Sequence, residues 1–423
     1  MEPKMCTADA PRRGVLVCQP VHQHAYETAL AAQDSGYLRY FATGLYDKAR
    51  GLTDPRLRAK LPGEPLRNRI ERELRRRRHP ELDPDRVLAL PRYHAVATGF
   101  RRSVGWLPRL RRVDLDTWAH HRFDRRVGRM LPQLSGVDLV HAFEGTALAT
   151  LQAAKRAGKK TVLDVPSAHE YFALAEGTNC QPRIALERQL ADTLLAPSDY
   201  VVSCLTEAGV PQDRIVKVPY GVDAAAFKPG PAPQADREFR AVFIGTIGRR
   251  KGVSYLLEAW RRLALPHAEL ILVGYVDEEG RRLLGRYRGV YRFVGSCPKH
   301  EIHRFLRQSD VFVFPSLAEG SALVTYEALA SGLPVITTPN SGSVVRDGID
   351  GFLVPPRDVD AIGERLELLY GDPALRGRMA AQGRALIERS YTWRHYRERV
   401  AGVYRGMLDG DGERRATGSG AHP

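Results

Sequence analysis

The sequence is poor in whatever would staple the chain or anchor it in a membrane. Its five cysteines, Cys6, Cys18, Cys180, Cys204 and Cys297, stand singly among 423 residues and form no C-x-x-C pair. That spacing argues against a disulfide framework and against a zinc knuckle. No apolar run approaches the roughly 18 residues a spanning helix needs. Met1 to Arg13 is polar and lacks the apolar core of a signal peptide, and no Asn-x-Ser/Thr sequon occurs, so a cytoplasmic protein is expected. There is no Walker A loop, no G-x-S-x-G elbow and no H-E-x-x-H helix. Asp-x-Asp occurs at 83–85, 114–116, 358–360 and 409–411, never directly behind a buried strand, so no required metal is expected.

What is present is an ordinary globular composition, 43% apolar and 27% charged. It excludes a disordered or collagenous chain, and the length suggests two or three domains. The net charge is +15 and unevenly spread. Gly51 to Met130 holds 21 Lys/Arg against 10 Asp/Glu, including the run Arg75-Arg76-Arg77-Arg78. Such a segment suits an anionic surface: lipid headgroups, nucleic acid or phosphorylated substrates. The plain alternative is a solvated helical face.

Short apolar runs alternate with helix-like spacing, the rhythm of parallel α/β layers. Gly14–Cys18, Asp138–Phe143, Lys160–Val165 and Asp199–Cys204 read as strands of a first unit. Lys228-Pro229-Gly230-Pro231-Ala232-Pro233 reads as a linker. The rhythm then restarts with strands at Arg240–Gly245, Glu269–Gly274, Arg292–Gly295, Asp310–Pro315 and Pro334–Thr338. The fold class expected is α/β, with two Rossmann-like units. The N-terminal one spans 12–220, rejoined by a helix near 391–408. The C-terminal one spans 221–390, and 409–423 is a disordered tail. A cleft between the units is the default active site.

Two segments carry chemistry. Glu319-Gly320-Ser321-Ala322-Leu323-Val324-Thr325-Tyr326-Glu327 follows a strand and opens a helix. Small residues at 320–322 let a ligand approach the backbone, and free N–H groups with the helix dipole make an anion site. Two acids flanking an anion would repel it, so they fit hydroxyls on either side of it. That arrangement describes a nucleotide-sugar. An ordinary helix with exposed acids is the alternative until the second segment is added. Gly245-Thr246-Ile247-Gly248-Arg249-Arg250-Lys251-Gly252 is a basic loop between strand and helix, with Arg forks and a Lys point charge for phosphate. His22, His24, His141 and Glu144 are further cleft candidates, His141 by ending a strand and Glu144 as an acceptor contact.

Together with Val218-Pro219-Tyr220-Gly221-Val222-Asp223, Asp310–Ser316, Ala328–Val335 and Gly348–Val354, these segments resemble the retaining glycosyltransferases of family 4. The resemblance covers Val218 to Val354 almost end to end and is only an outline in the N-terminal half. It implies the GT-B fold, two Rossmann-like domains facing each other across a cleft. It also implies transfer of a sugar from a nucleotide-diphosphate-sugar donor to a hydroxyl acceptor with retention. Arg249 or Arg250, with Lys251, would hold the donor diphosphate alongside Gly320, Ser321, Ala322 and Leu323. Glu319 would contact the donor sugar, Glu327 the ribose, and the backbone at Val294 the base. His169 would lie at the donor sugar. No cofactor is implied beyond the donor substrate. The sequence departs from the family pattern at Thr246, where Arg is common, at His22-Gln23-His24-Ala25, where a Gly pair is common, and at Ser321-Ala322, where Phe-Gly is commoner.

Expected partners are the donor, a glycan or lipid-linked hydroxyl acceptor and an anionic membrane face for the basic segment, with peripheral location at the inner membrane surface. No nucleic acid is expected, because no aromatic-interleaved basic motif occurs. The rival readings are a GT-B nucleotide-sugar epimerase or hydrolase, a basic nucleic-acid-binding protein and a degenerate scaffold.

Overall fold

The computed structural model describes residues 13–21, 24–46, 64, 78–91, 115–168, 182–230 and 238–410. Most of the basic segment, including Arg75, Arg76 and Arg77, lies outside them, as do His22, His169 and the tail from 411. The chain divides into two compact units. One is bounded by Met1–Asp164, Gln181–Leu195 and Arg397–Pro423, the other by Val165–Cys180 and Ala196–Tyr396. The division falls at Leu195/Ala196, ahead of the expected 220/221, and the C-terminal portion from Arg397 groups with the first unit.

The first sheet is ordered β3-β2-β1-β4-β5-β6-β7. Its strands are β1 (Val15–Gln19), β2 (Leu38–Thr43), β3 (Val87–Ala89), β4 (Leu139–Phe143), β5 (Lys160–Asp164), β6 (Thr193–Ala196) and β7 (Ile215–Lys217). β1 and β4 are buried along their whole length, as strands covered by helices on both faces must be. The second sheet is ordered β10-β9-β8-β11-β12-β13. It comprises β8 (Phe239–Ile244), β9 (Ala268–Val273), β10 (Arg292–Gly295), β11 (Val311–Phe314), β12 (Val335–Thr337) and β13 (Gly351–Leu353). Its recorded pairings are all parallel. The fully buried rings of Phe243, Phe312 and Phe314 stack across β8 and β11, with centroids 5.6 and 5.9 Å apart.

Asp199–Cys204 is a correction to the sequence reading: it lies in a helix, Asp199–Glu207, and the strand is the preceding Thr193–Ala196. Ser198 caps the helix by accepting from Val201 N, and Asp199 occupies the first turn, so the local start signal prevails over the β-branched pair Val201-Val202. In each sheet the strand order reverses once, between β1 and β4 and between β8 and β11. Ligands of open parallel sheets bind outside the carboxyl ends of strands at such a reversal. In the second unit that point lies between the loop after Ile244 and the turn after Phe314.

Among the described residues no helix is long and apolar enough to cross a membrane.

Candidate active site

The loop after β8 and the turn after β11 are stitched together by backbone. Leu317 N donates to Arg250 O at 2.8 Å. Gly252 sits at φ +67°, and a Cβ there would lie 1.9 Å from the Pro315 carbonyl oxygen. Only glycine satisfies both the left-handed backbone and the close approach. This packing places the short turn Arg249–Lys251 beside Glu319.

Glu319 is the hub. Its Oε1 accepts from Arg250 at 2.6 Å, from Lys251 Nζ at 2.5 Å and from Ser316 Oγ at 2.9 Å. Arg250 also donates to Ala318 O at 2.8 Å. Burial pushes the Lys251 ammonium below its ordinary value, and Glu319 opposes that fall. Lys251 Nζ also stands 5.1 Å from the centre of the Phe314 ring, a cation–π distance. Two cations against one carboxylate leave this cluster one positive charge in excess. Arg249 is exposed on the same turn.

Beyond Glu319 the backbone is held on both sides. Gly320 O accepts from Ser198 Oγ, and a Cβ on Gly320 would lie 1.8 Å from Pro166 O. Ser321 Oγ donates to Gly342 O and accepts from Tyr326, both at 2.9 Å. Ala322 N donates to Ser341 O at 3.0 Å. The helix Leu323–Ala330 then begins with no side-chain cap. The N–H groups of Leu323 and Val324 and the positive end of its dipole are therefore available to an anion, while Thr325 N donates to Ala322 O at 2.9 Å. Glu327 lies in this helix, only 6% exposed. Burial pushes its carboxyl up to about 7, and Lys299, 3.9 Å away, opposes the rise. Val294 is half-buried on the edge strand β10.

Arg250, Lys251 and Glu319 thus meet in one cluster. Ser316, the third donor on Glu319, and Lys299, the cation beside Glu327, escaped the sequence reading. Ser316 had a usable signal, as the polar residue that ends a buried strand. Lys299 sits in a polar loop with none. His169 lies outside the described residues.

The first unit corrects one cleft candidate. His141 is fully buried in β4, where its Nδ1 meets Tyr404 Oη at 2.7 Å, because its strand continues through Phe143 instead of ending there. Glu144 is held by Arg188 at 2.6 Å, a mostly buried pair. His24 is also buried, with Nε2 2.8 Å from Asp164 Oδ2. Burial raises the Asp164 carboxyl, but His24 and His141 bring it down to about 2. Two of the Asp-x-Asp aspartates have structural work: Asp83 and Asp358 cap helix starts, accepting from Asp85 N and Ala361 N.

The family model described as Glycosyl transferases group 1 matches residues 238–372, and that described as Glycosyltransferase Family 4 matches 72–226. A D-inositol 3-phosphate glycosyltransferase of Acidothermus cellulolyticus is 30% identical over 69% of this chain and 66% of its own length. A protein of that name from Thermomonospora curvata is 30% identical over 69% of this chain and 71% of its own length. Among solved structures, Anabaena Alr3699/HepE in complex with UDP and glucose superposes with a TM-score of 0.61 at 16% identity, covering 93% of this chain and 99% of that one. The uncapped helix, its paired acids and the basic loop thus sit inside a match that extends over both units: the chain belongs to glycosyltransferase family 4, the group 1 glycosyl transferases, and has the GT-B fold.

Proposed function

We propose that this glycosyltransferase moves a sugar from a nucleotide-diphosphate-sugar donor to a hydroxyl acceptor with retention of configuration. The observation that carries the reading is the bracketing of an uncapped helix N-terminus by two buried carboxylates, with Arg250 and Lys251 at its edge. The donor diphosphate sits at the turn Gly320–Leu323, on N–H groups other than that of Ala322, which Ser341 O holds, and draws Arg250 and Lys251 to its oxygens, where they stabilise the charge that develops on the leaving group. Glu327 accepts from the ribose hydroxyls. Glu319 turns to hydroxyls of the donor sugar, and the Val294 backbone borders the base. His169 is the further residue assigned to the donor sugar.

The bond from the anomeric carbon to the phosphate oxygen breaks as the bond to the acceptor oxygen forms on the same face. The acceptor proton passes to the departing phosphate oxygen, so no metal or protein nucleophile is required. UDP and glucose in the HepE complex, and the inositol phosphate named for two relatives, support a nucleotide donor and a hydroxyl-rich acceptor. We place the acceptor among glycans and lipid-linked sugars, presented at an anionic membrane face to the basic segment between Gly51 and Met130. Each basic side chain at such a face contributes about 1 kcal/mol.

The test is a panel of nucleotide-diphosphate sugars scored by thermal shift. One base is expected to stabilise the protein, with the shift reduced in Glu327→Ala and the donor consumed only when an acceptor is present. Donor hydrolysis at the same rate without acceptor would replace transfer by hydrolysis. No shift from any nucleotide would refute the site.

A further inference from the structure

We infer that Lys299 is a positioning residue of the nucleotide site, an ammonium that keeps the Glu327 carboxylate ionised and ready to accept the ribose hydroxyls. The inference rests on the donor-site reading above and adds a residue that the sequence did not single out. Glu327 has almost no water around it: its side chain is 8% exposed. A carboxylate so placed either takes up a proton or needs a cation near it. Lys299 supplies one, with Nζ 3.9 Å from Glu327 Oε1. It arrives from the short turn Lys299–Glu301, which follows β10, so the contact joins two separate elements.

Among the described residues the other charged and titratable groups around this helix are engaged elsewhere. β11 and β12 carry none, reading VFVF and VIT. From the helix Pro373–Ser390, Arg384 reaches the helix Leu323–Ala330 at its far end, on Ala330 O, and pairs with Glu388. On the Lys299 turn itself, His300 and Glu301 face one another at 3.6 Å. Tyr326 bonds Ser321 and meets the Tyr391 ring edge-on. Lys299 is the cation recorded against the burial of Glu327. Its own side chain is 76% exposed, so it can swing aside when ribose enters.

A positioning role of this kind has a signature that a structural role lacks, a change in the pH dependence of binding. UDP-glucose and GDP-mannose serve as probes, because a diphosphate diester does not titrate between pH 6 and 8.5. Calorimetric titration across that range is expected to show affinity rising through a midpoint near the Glu327 value of about 7. Lys299→Met should move that midpoint up by roughly half a unit or more. Affinity then falls about twofold at pH 7 and about threefold at pH 6, and returns to within about a tenth of that of the original protein at pH 8.5. Lys299→Arg should restore the original profile, and Lys299→Met should add nothing in a Glu327→Gln background. An unchanged midpoint in Lys299→Met would overturn the inference. So would a loss of equal size at every pH, which would make Lys299 a direct phosphate ligand. If neither donor binds the unaltered protein, or if Glu327→Gln binds as well as the original, the donor-site reading falls first and takes this inference with it.

Discussion

Glu327→Gln should make the protein more stable at pH 8 while making it a poorer binder. Glu327 is raised from about 4.5 to about 7 by burial. A carboxyl whose folded value lies above its unfolded value holds its proton better in the folded state. Its effect on stability is therefore nil below about pH 4.5, grows unfavourable as pH rises from there to about 7, and is complete above that. A shift of that size at about 1.4 kcal/mol per unit corresponds to ~3 kcal/mol by pH 8. Glutamine has nearly the same shape and no charge, so it recovers part of that, about 2–3 kcal/mol. In a unit of this size 1 kcal/mol moves Tm by roughly 2–4 °C, so the gain is about 4–12 °C. The assay is differential scanning calorimetry of both proteins at pH 5 and pH 8. The gain should be full at pH 8 and fall to about a quarter of that at pH 5. Equal Tm values at pH 8, or a destabilised variant, would show that Glu327 is ionised at no cost, and the argument from its burial would fail. The same variant should lose nucleotide affinity by about tenfold, the cost of a charge-assisted hydrogen bond.

Glu319→Ala frees Arg250 and Lys251 and leaves Lys251 buried without its carboxylate; a fall of about 2–3 kcal/mol in unliganded stability is expected by chemical denaturation. Nucleoside diphosphate affinity should hold or rise while transfer falls, and a loss of both together would contradict the assignment. Gly320→Ala drives a Cβ into the Pro166 carbonyl at 1.8 Å, so transfer should drop at least tenfold; turnover like that of the original protein would show the turn to be loose. Tyr404→Phe removes the partner of buried His141 Nδ1 and should cost about 1–2 kcal/mol of stability without changing donor affinity. Neutralising Arg75 to Arg78 should release the protein from anionic vesicles at low salt and leave donor binding as it was; retention on the vesicles would remove the membrane role of that run.

The second sheet was the more legible half because it holds continuous apolar runs closed by Gly or Pro, such as Ala241–Ile244 before Gly245 and Val311–Phe314 before Pro315. β2, with Arg39 and Tyr40 inside it, and the three-residue strands β3, β7 and β13 offered too short or too mixed a pattern. Asp199–Cys204 misled because Val201-Val202 satisfies a strand pattern, whereas the cap at Ser198 acts through one backbone N–H three residues on. Glu319, Arg250 and Lys251, which the structure brings together, drew attention in the sequence as charged residues beside Gly-rich turns at strand ends. The pairing of Glu319 with both cations was not legible, since it depends on the Arg250–Leu317 backbone bond that brings two loops 67 residues apart in sequence into contact. The buried group His24, Asp164, His141 and Tyr404 was hidden for the same reason. It is assembled from four distant segments, and only the two histidines stood out by type.

The most direct measurement compares two ligands on two proteins: a nucleoside diphosphate and its bare nucleoside, titrated calorimetrically into the original chain and into Lys251→Ala. A diphosphate seated at the helix Leu323–Ala330 with Lys251 on its oxygens predicts a large affinity gap between the ligands in the original chain. In the variant that gap should narrow by at least tenfold, almost wholly through weaker diphosphate binding. Equal losses for both ligands, or no gap to begin with, would contradict a diphosphate at this site.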